Sequence, residues 1–427
     1  MQDQQSNLRF AGDVSLEEVA LHTLNGQSAN ITAQVISAEV YEDLFSPFMT
    51  VSIVVRESVD YINVFPFIGE EYVKLKISTP NIDKPIEGKF YIYKITDRQY
   101  TKDREVMYTI KGISEEYLYD VNKKLSQTFK GNCGEIALNL FQKAGLNTAK
   151  TAFIEKTSNK TAFTAAFWSP TKCLSFLSTN AMNESTSPTY LLYENRHGFN
   201  FRSIDELLKS TTYHKFIKDN FSRSTINDNS AEATKEPQED FKRIMELDIP
   251  VLTDYMEDIS SGRLKSRIIS HDLVTKQYHI RDYSVKKDTE HPPTLLNENP
   301  AYSQYASSNS MSTMIIMPRH FSNFTNFADV TNYNTIQKRM SFFQSLQKYK
   351  VTIQVLGRTD YTVGQVMELQ IPKATQITKE QKDSPYDEIL SGRYLLSAIS
   401  HIITKEGHTC NMELIKNSII MDMSKQR

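Results

Sequence analysis

Histidine, cysteine and clustered carboxylates are the residues of this 427-residue chain best suited to chemistry, and their spacing supports little of it. A zincin-type site needs two histidines one helical turn apart with a glutamate beside the first, and no HExxH occurs. His197 falls in a hairpin turn, and neither it nor His214 has a histidine at i+4. His401 and His408 flank a hairpin at Glu406 and Gly407, and read as solvent-facing strand-end residues with no metal role. Cys133, Cys173 and Cys410 are far apart and lack a CxxC spacing; three cannot all pair, so they read as reduced thiols, two of them in helices. The densest acidic clusters, Glu239–Asp240 and Asp254 with Glu257 and Asp258, could supply a catalytic carboxylate pair, but read as solvated surface. Phosphate-cradling GxGxxG and GxxxxGK[ST] loops and a GxSxG elbow do not occur. Lys89-Phe90-Tyr91-Ile92-Tyr93-Lys94 interleaves bases with aromatics, which at strand spacing marks the two faces of a β-strand. The expectation is therefore a non-enzyme with no catalytic, cofactor-binding or metal-ligating residues.

The elements that carry these residues are mostly strands. Met49, Val51, Ile53 and Val55 alternate with Thr50, Ser52, Val54 and Arg56; Val73, Leu75 and Ile77 alternate with lysines; Val106, Tyr108 and Ile110 do likewise. A period of two marks half-buried antiparallel strands, and several joined by short turns favour a small barrel or sandwich over residues 1–115. A mixed α+β region follows over 116–221. Ile136, Leu140, Phe141 and Ala144 share a helix face stopped by Gly145 as a left-handed cap. Ser169-Pro170 starts a helix whose apolar face is Leu174, Leu177 and Ala181. Tyr190–Tyr193, a turn at 194–198 and Phe199–Phe201 read as a hairpin, and Ser203 starts the next helix. Residues 222–239 are polar and read as a linker. Strands resume at 244–249 and 264–282, a Pro/Asn/Ser-rich excursion occupies 286–333, and a helix with Ile336, Met340 and Phe343 on one face leads into strands over 350–417. The strands of 222–284 and 334–427 are expected to share one split domain, with 285–333 as an insertion.

Composition bounds the class. A hydrophobic fraction of 39% and 44 tyrosines and phenylalanines together, against a single tryptophan, suit a β-rich globular protein of several domains. Net charge is −2, from 49 basic and 51 acidic residues, which removes the electrostatic footprint of a nucleic-acid binder. The chain start shows no basic-then-apolar secretory pattern, and no apolar run reaches the ~18 residues of a membrane helix. Folding in a reducing cytoplasm is expected.

A long-period repeat is the most informative pattern. Gly88, Phe90 and Ile95 have the spacing of Gly392, Tyr394 and Ile399, each preceded by a Gly–strand–Pro segment (Gly69 to Pro80; Gly364 to Pro372) and followed by Thr-Lys. Met107–Lys111 then matches Met412–Lys416. A period this long, present twice, is a domain duplication.

Two stretches carry a resemblance. The hairpin from Tyr190 to Leu208, with Tyr193, Gly198, Phe199, Phe201 and Ser203 as its motif, resembles the hairpin of baseplate central hub proteins of contractile-tailed bacteriophages. The same element recurs in the N-terminal hub half of VgrG-type spike proteins. Gly357 to Pro372 and Ser391 to His401 are similar to strands of that family's second tube-like barrel. The resemblance implies a mainly β fold with α+β parts and two similar antiparallel β-barrel domains. It implies a homotrimer, a ring of pseudo-sixfold symmetry joining a hexameric tail tube to a trimeric spike, with DNA passing through the lumen without specific binding. Other baseplate proteins are implied as partners, with a tape-measure protein a further candidate; the location would be the virion tail baseplate. No needle β-helix follows the second barrel, so a stand-alone hub is expected. The alternatives are a receptor- or carbohydrate-binding tail protein, resting on Tyr302, Tyr305, Phe321, Phe324, Phe327 and Tyr333 in the excursion, and a tail-associated cell-wall hydrolase.

Overall fold

Alternating strands of the period-two kind must curl until their apolar faces meet, and most of this chain does so. A computed structural model describes residues 10–416 except 24, 65–67, 102–103, 186, 219–239, 251–254, 273–275, 277, 286–312, 320–334 and 374–385. The aromatics Tyr302 to Phe327 and Tyr333 of the excursion, the linker 222–239 and Asp254 lie outside the described residues. The protein is mainly β with α+β parts, and no helix is long and apolar enough among the described residues to cross a membrane.

The first β-unit comprises β1 (Ser15–His22), β2 (Ser28–Asn30), β3 (Val35–Asp43), β4 (Thr50–Glu57), β5 (Tyr72–Ser78), β6 (Ile86–Tyr100) and β7 (Val106–Ser114). They pair in the order β3-β4-β7-β6-β5-β1-β2 around one core that includes Val19, Val40, Ile53, Leu75, Tyr108 and Ile110. The mixed region holds β8 (Leu125–Asn132) paired with β10 (Lys160–Trp168), and β11 (Tyr190–Asn195), β12 (Gly198–Ser203) and β9 (Ala152–Ile154) in a second small sheet. Helices Cys133–Asn139 and Pro170–Asn180 pack with them. Ser169 caps the second helix as the sequence predicts, its Oγ accepting from Lys172 N at 3.3 Å. Gly145 does not act as the expected left-handed cap. Its φ is −121°, the helix widens into a π-turn over Leu140–Ala144, and a Cβ there would sit 2.3 Å from the Leu140 carbonyl oxygen.

The second β-unit departs from the expected boundaries in two ways. Its strands are β14 (Ile244–Asp248), β18 (Lys350–Leu356), β21 (Gly407–Ile415), β20 (Gly392–Thr404), β19 (Val366–Gln370) and β13 (Thr212–Ile217) in that pairing order. A bridge between Ile217 and Arg243 brings β13 back beside β14, closing the ring. Thus β13, expected in the mixed region, belongs here: Phe216 is in this core, and the strand runs parallel to β19. In contrast, β15 (Lys265–Asp272) pairs antiparallel with β16 (Tyr278–Ser284) on one side and parallel with β17 (Thr313–Arg319), from inside the excursion, on the other. Within 222–284, therefore, β14 joins the second unit and β15 and β16 form a separate small sheet with β17. The helix Ile336–Lys348 lies against that sheet with a face other than the one predicted. Met340 is exposed, whereas Gln337 and Ser341 are buried, donating to the Ser266 and Arg263 carbonyls at 2.9 and 2.8 Å. Ser341 and the Gln337 amide nitrogen pair with backbone acceptors, whereas Gln337 Oε1 is buried without a partner among the described residues.

Candidate functional site

The repeat becomes geometric at the level of hydrogen-bond register. In the first unit Val73 pairs with Phe90 and Leu75 with Gly88; in the second, Met367 pairs with Tyr394 and Leu369 with Gly392. The next pairing repeats too: Ile92–Gly112 and Ile95–Ile110 become Leu396–Leu414 and Ile399–Met412. Both ladders skip one residue at the same place, Tyr93 in one and Ser397 in the other. Thr50–Ile113 and Ile53–Ile110 recur as Lys350–Ile415 and Ile353–Met412. Even the outer strand follows, since Ala38–Ile53 recurs as Leu247–Ile353 and each ladder breaks register just before, at Val35/Ser37 and Ile244/Glu246. Five strands therefore share one register with two bulges in common. A slip by one residue would turn each strand inside out, so chance similarity of alternating strands does not produce this. The register corrects the sequence match at one place: Ile110, and not Met107, is the counterpart of Met412. The units differ at the sixth strand, where β1 runs antiparallel to β5 and β13 parallel to β19.

Within this repeat, Gly88 makes room for an aromatic: a Cβ there would lie 2.8 Å from the Phe90 ring. Gly392 instead needs its backbone freedom, with φ of +124°. Tyr394 is fully buried and donates to the Leu390 carbonyl at 2.6 Å. Ile399 is in the second core, and Ile95 is half-buried against the first.

The two units join edge to edge, β20 pairing antiparallel with β3 from Ala398–Asp43 to Thr404–Ser37. The hairpin β11–β12 is wedged beside this seam. Every residue of β11 is buried, because its two faces enter different cores: Leu191 and Tyr193 that of the second unit, Tyr190 and Leu192 that of the mixed region. Phe199 and Phe201 are likewise in the mixed core. Gly198 turns the hairpin at φ +129°, and a Cβ would sit 2.2 Å from the Thr151 carbonyl oxygen, which accepts from Phe199 N at 2.9 Å. Gly364, at φ +88°, leaves room for the Tyr193 hydroxyl. Ser203 Oγ accepts from Glu206 N and donates to Glu155, fixing the helix that follows.

Two buried carboxylates tie the three regions together. Glu42 of β3 accepts from Thr362 Oγ1 at 2.5 Å and Val363 N at 3.1 Å in the second unit, and from Arg196 N at 3.2 Å in the hairpin turn. Burial pushes its pKa up to about 7, with those hydrogen bonds opposing. Glu194 of β11 accepts from Met49 N at 2.9 Å, and Lys150 Nζ bridges it to Glu116 at 2.6 and 2.7 Å. Burial raises the Glu194 pKa against Lys150; burial also disfavours the Lys150 charge, but Glu194 and Glu116 outweigh it and its pKa is raised. No pairing of Glu42, Glu116, Lys150 or Glu194 was legible in the sequence, because lone acids and bases carry no spacing signal.

His401 and His408 correct the expectation of solvent-facing residues. Both are fully buried, in contact with each other and with Cys410. His197 is exposed in the hairpin turn, and His214 packs on Phe216 and Tyr361.

No family model and no curated protein matches the chain. Solved structures do. A tail protein from Neisseria meningitidis superposes with a TM-score of 0.54 at 11% identity, covering 95% of this chain and 97% of that one. The 43 kDa tail protein of prophage MuSo2 from Shewanella oneidensis gives 0.55 at 9% identity, covering 94% and 98%. The chain has the fold of these phage tail proteins over nearly its whole length. An E. coli type VI secretion component also aligns, at a TM-score of 0.37 and 8% identity over 90% of this chain and 73% of that one.

Proposed function

We propose that this chain is a structural hub of a phage tail baseplate. The observation that carries the reading is the five-strand repeat in one register: each subunit presents two similar β-units. Three subunits then present six, the number needed to meet a hexameric tail tube, while the threefold itself suits a trimeric spike. Closed cyclic assembly leaves no unmatched interface. The edge β20–β3 seam already places one unit beside the other without a gap, and the short β2, at the end of the pairing order, leaves an edge that a neighbour can cover. A net charge of −2 fits an axial passage through which DNA slides without being held by phosphate contacts. The hairpin motif Tyr193, Gly198, Phe199, Phe201 and Ser203 has the role of holding the mixed region against both units. Catalysis has no part in this reading.

The test is native mass spectrometry with electron-microscope class averages, on the purified chain alone and mixed with tube and spike proteins of the same tail. Three chains per particle is expected, with well over ~2,000 Å² buried per subunit contact. A monomer under both conditions overturns the proposal.

A further inference from the structure

Among the described residues, three metal-ligating atoms converge in the second unit. His401 faces Cys410 across the β20–β21 ladder, and His408 lies one pleat away on the same strand as Cys410. His401 Nδ1 is 3.1 Å from His408 Nε2, and Cys410 Sγ is 3.3 and 3.5 Å from those two nitrogens. Tetrahedral zinc with bonds of about 2.05 Å to nitrogen and 2.3 Å to sulfur spaces its ligands about 3.3 Å (N to N) and about 3.6 Å (N to S) apart. The triangle observed matches those edges to within about 0.3 Å. The counterparts of His408 and Cys410 in the first unit are Val106 and Tyr108, so the repeat does not demand this cluster.

The side chains alone satisfy the triangle poorly. An imidazole nitrogen carries either one hydrogen or one lone pair, so three short contacts must share hydrogens and lone pairs between them. A central cation gives each lone pair its own bond. Among the described residues, His408 Nδ1 has no hydrogen-bond partner, so nothing on its outer side fixes the inward Nε2 as a hydrogen donor. The surroundings are shaped to the rings. Gly357 packs so close that a Cβ would lie 2.2 Å from the His408 imidazole.

We propose that His401 Nδ1, His408 Nε2 and Cys410 Sγ bind one zinc ion. Binding releases the thiol proton to solvent and leaves a zinc-bound thiolate, with no change in oxidation state. The three residues are fully buried, so the ion braces the strands that carry them; no fourth side-chain ligand joins the cluster among the described residues, which leaves the fourth tetrahedral position to water. It fastens the end of the β20–β21 hairpin, where His408 N donates to the Gly12 carbonyl and the His408 carbonyl accepts from Gly357 N, both at 2.8 Å. The chain segment before β1 and the loop after β18 are thereby pinned to one point beside the inter-unit seam.

The whole chain is produced in minimal medium supplemented with zinc, and in a parallel culture with cobalt, and metal is measured by mass spectrometry on the purified protein. About one zinc per chain is expected, and the cobalt form should show a thiolate-to-cobalt charge-transfer band with tetrahedral visible absorption. Cys410→Ser should lose the band, whereas Cys173→Ser, at a buried cysteine outside the triangle, should keep it. Because the cobalt spectrum is read on the parent chain, an unfolded Cys410→Ser variant does not spoil the test. The proposal fails if parent protein with a cooperative melt carries less than about one-tenth of a metal per chain and no charge-transfer band. Zinc at full content without a thiolate band in the cobalt form also overturns it, as does copper recovered in place of zinc.

Discussion

Glu42 is the residue at which burial and function meet most directly. Its carboxylate sits between the two β-units and the hairpin turn, and its pKa of about 7 exceeds the ordinary 4.5. Between those values the folded state holds a proton that the unfolded state has lost, so this group makes stability fall as pH rises. The contribution is fully present below pH 4.5 and lost as pH passes about 7. Glu42→Gln should flatten the fall between pH 5 and pH 8, by up to ~3 kcal/mol, in denaturant titrations across that range. An unchanged slope would show that Glu42 is ionised throughout and held by its three donors. Gly198 belongs to the same scale. With φ at +129° and Thr151 within 2.2 Å of any Cβ, Gly198→Val should cost more than ~2 kcal/mol, seen as a lower Tm. A parent-like Tm would sink this reading of the turn.

At the scale of elements, β11 explains how three regions become one body. A strand buried on both faces cannot pay for its desolvated ends unless their polar groups are matched, and Glu194 is matched by Met49 N and Lys150. Removing the lysine leaves Glu194 and Glu116 buried without their shared counter-ion. Lys150→Met should therefore destabilise by roughly 2–4 kcal/mol, towards the lower end for a buried ion pair because the lysine keeps partial exposure. Adding Glu194→Gln to Lys150→Met should restore part of the loss in equilibrium unfolding. A double variant no more stable than the single one would show that the effect is packing alone. The unexpected face of helix Ile336–Lys348 makes the same point, since Gln337 and Ser341 find backbone acceptors that no periodicity reveals.

For the whole molecule, the repeat is close in five strands and broken in the sixth. Because β13 enters parallel to β19 while β1 enters antiparallel to β5, the two units offer unlike outer strands to their neighbours. A trimer should therefore show threefold symmetry with a weaker sixfold modulation in class averages made without imposed symmetry. Strict sixfold density, or none beyond a single subunit, contradicts the proposed ring.

The sequence by itself determined the strands, the duplication and the hairpin turn, because each rests on local rules. A period of two sets a half-buried strand, Ser169 and Ser203 cap helices through hydroxyl oxygens that accept from backbone N–H groups of the first turn, and glycine alone tolerates the conformation at Gly198. The matched spacing of Gly88–Ile95 and Gly392–Ile399 was legible for the same reason, although the loop between β6 and β7 hid the true partner of Met412. Tertiary structure alone decided the rest. That β13 joins the second unit and β15 and β16 leave it depends on pairings between strands far apart in the chain. That Glu42 meets Thr362 and Arg196, or that His401, His408 and Cys410 form a buried triangle, depends on which pleat faces inward in a closed sheet. A side chain's neighbours across a sheet are set by register and curvature, which no short stretch of sequence contains.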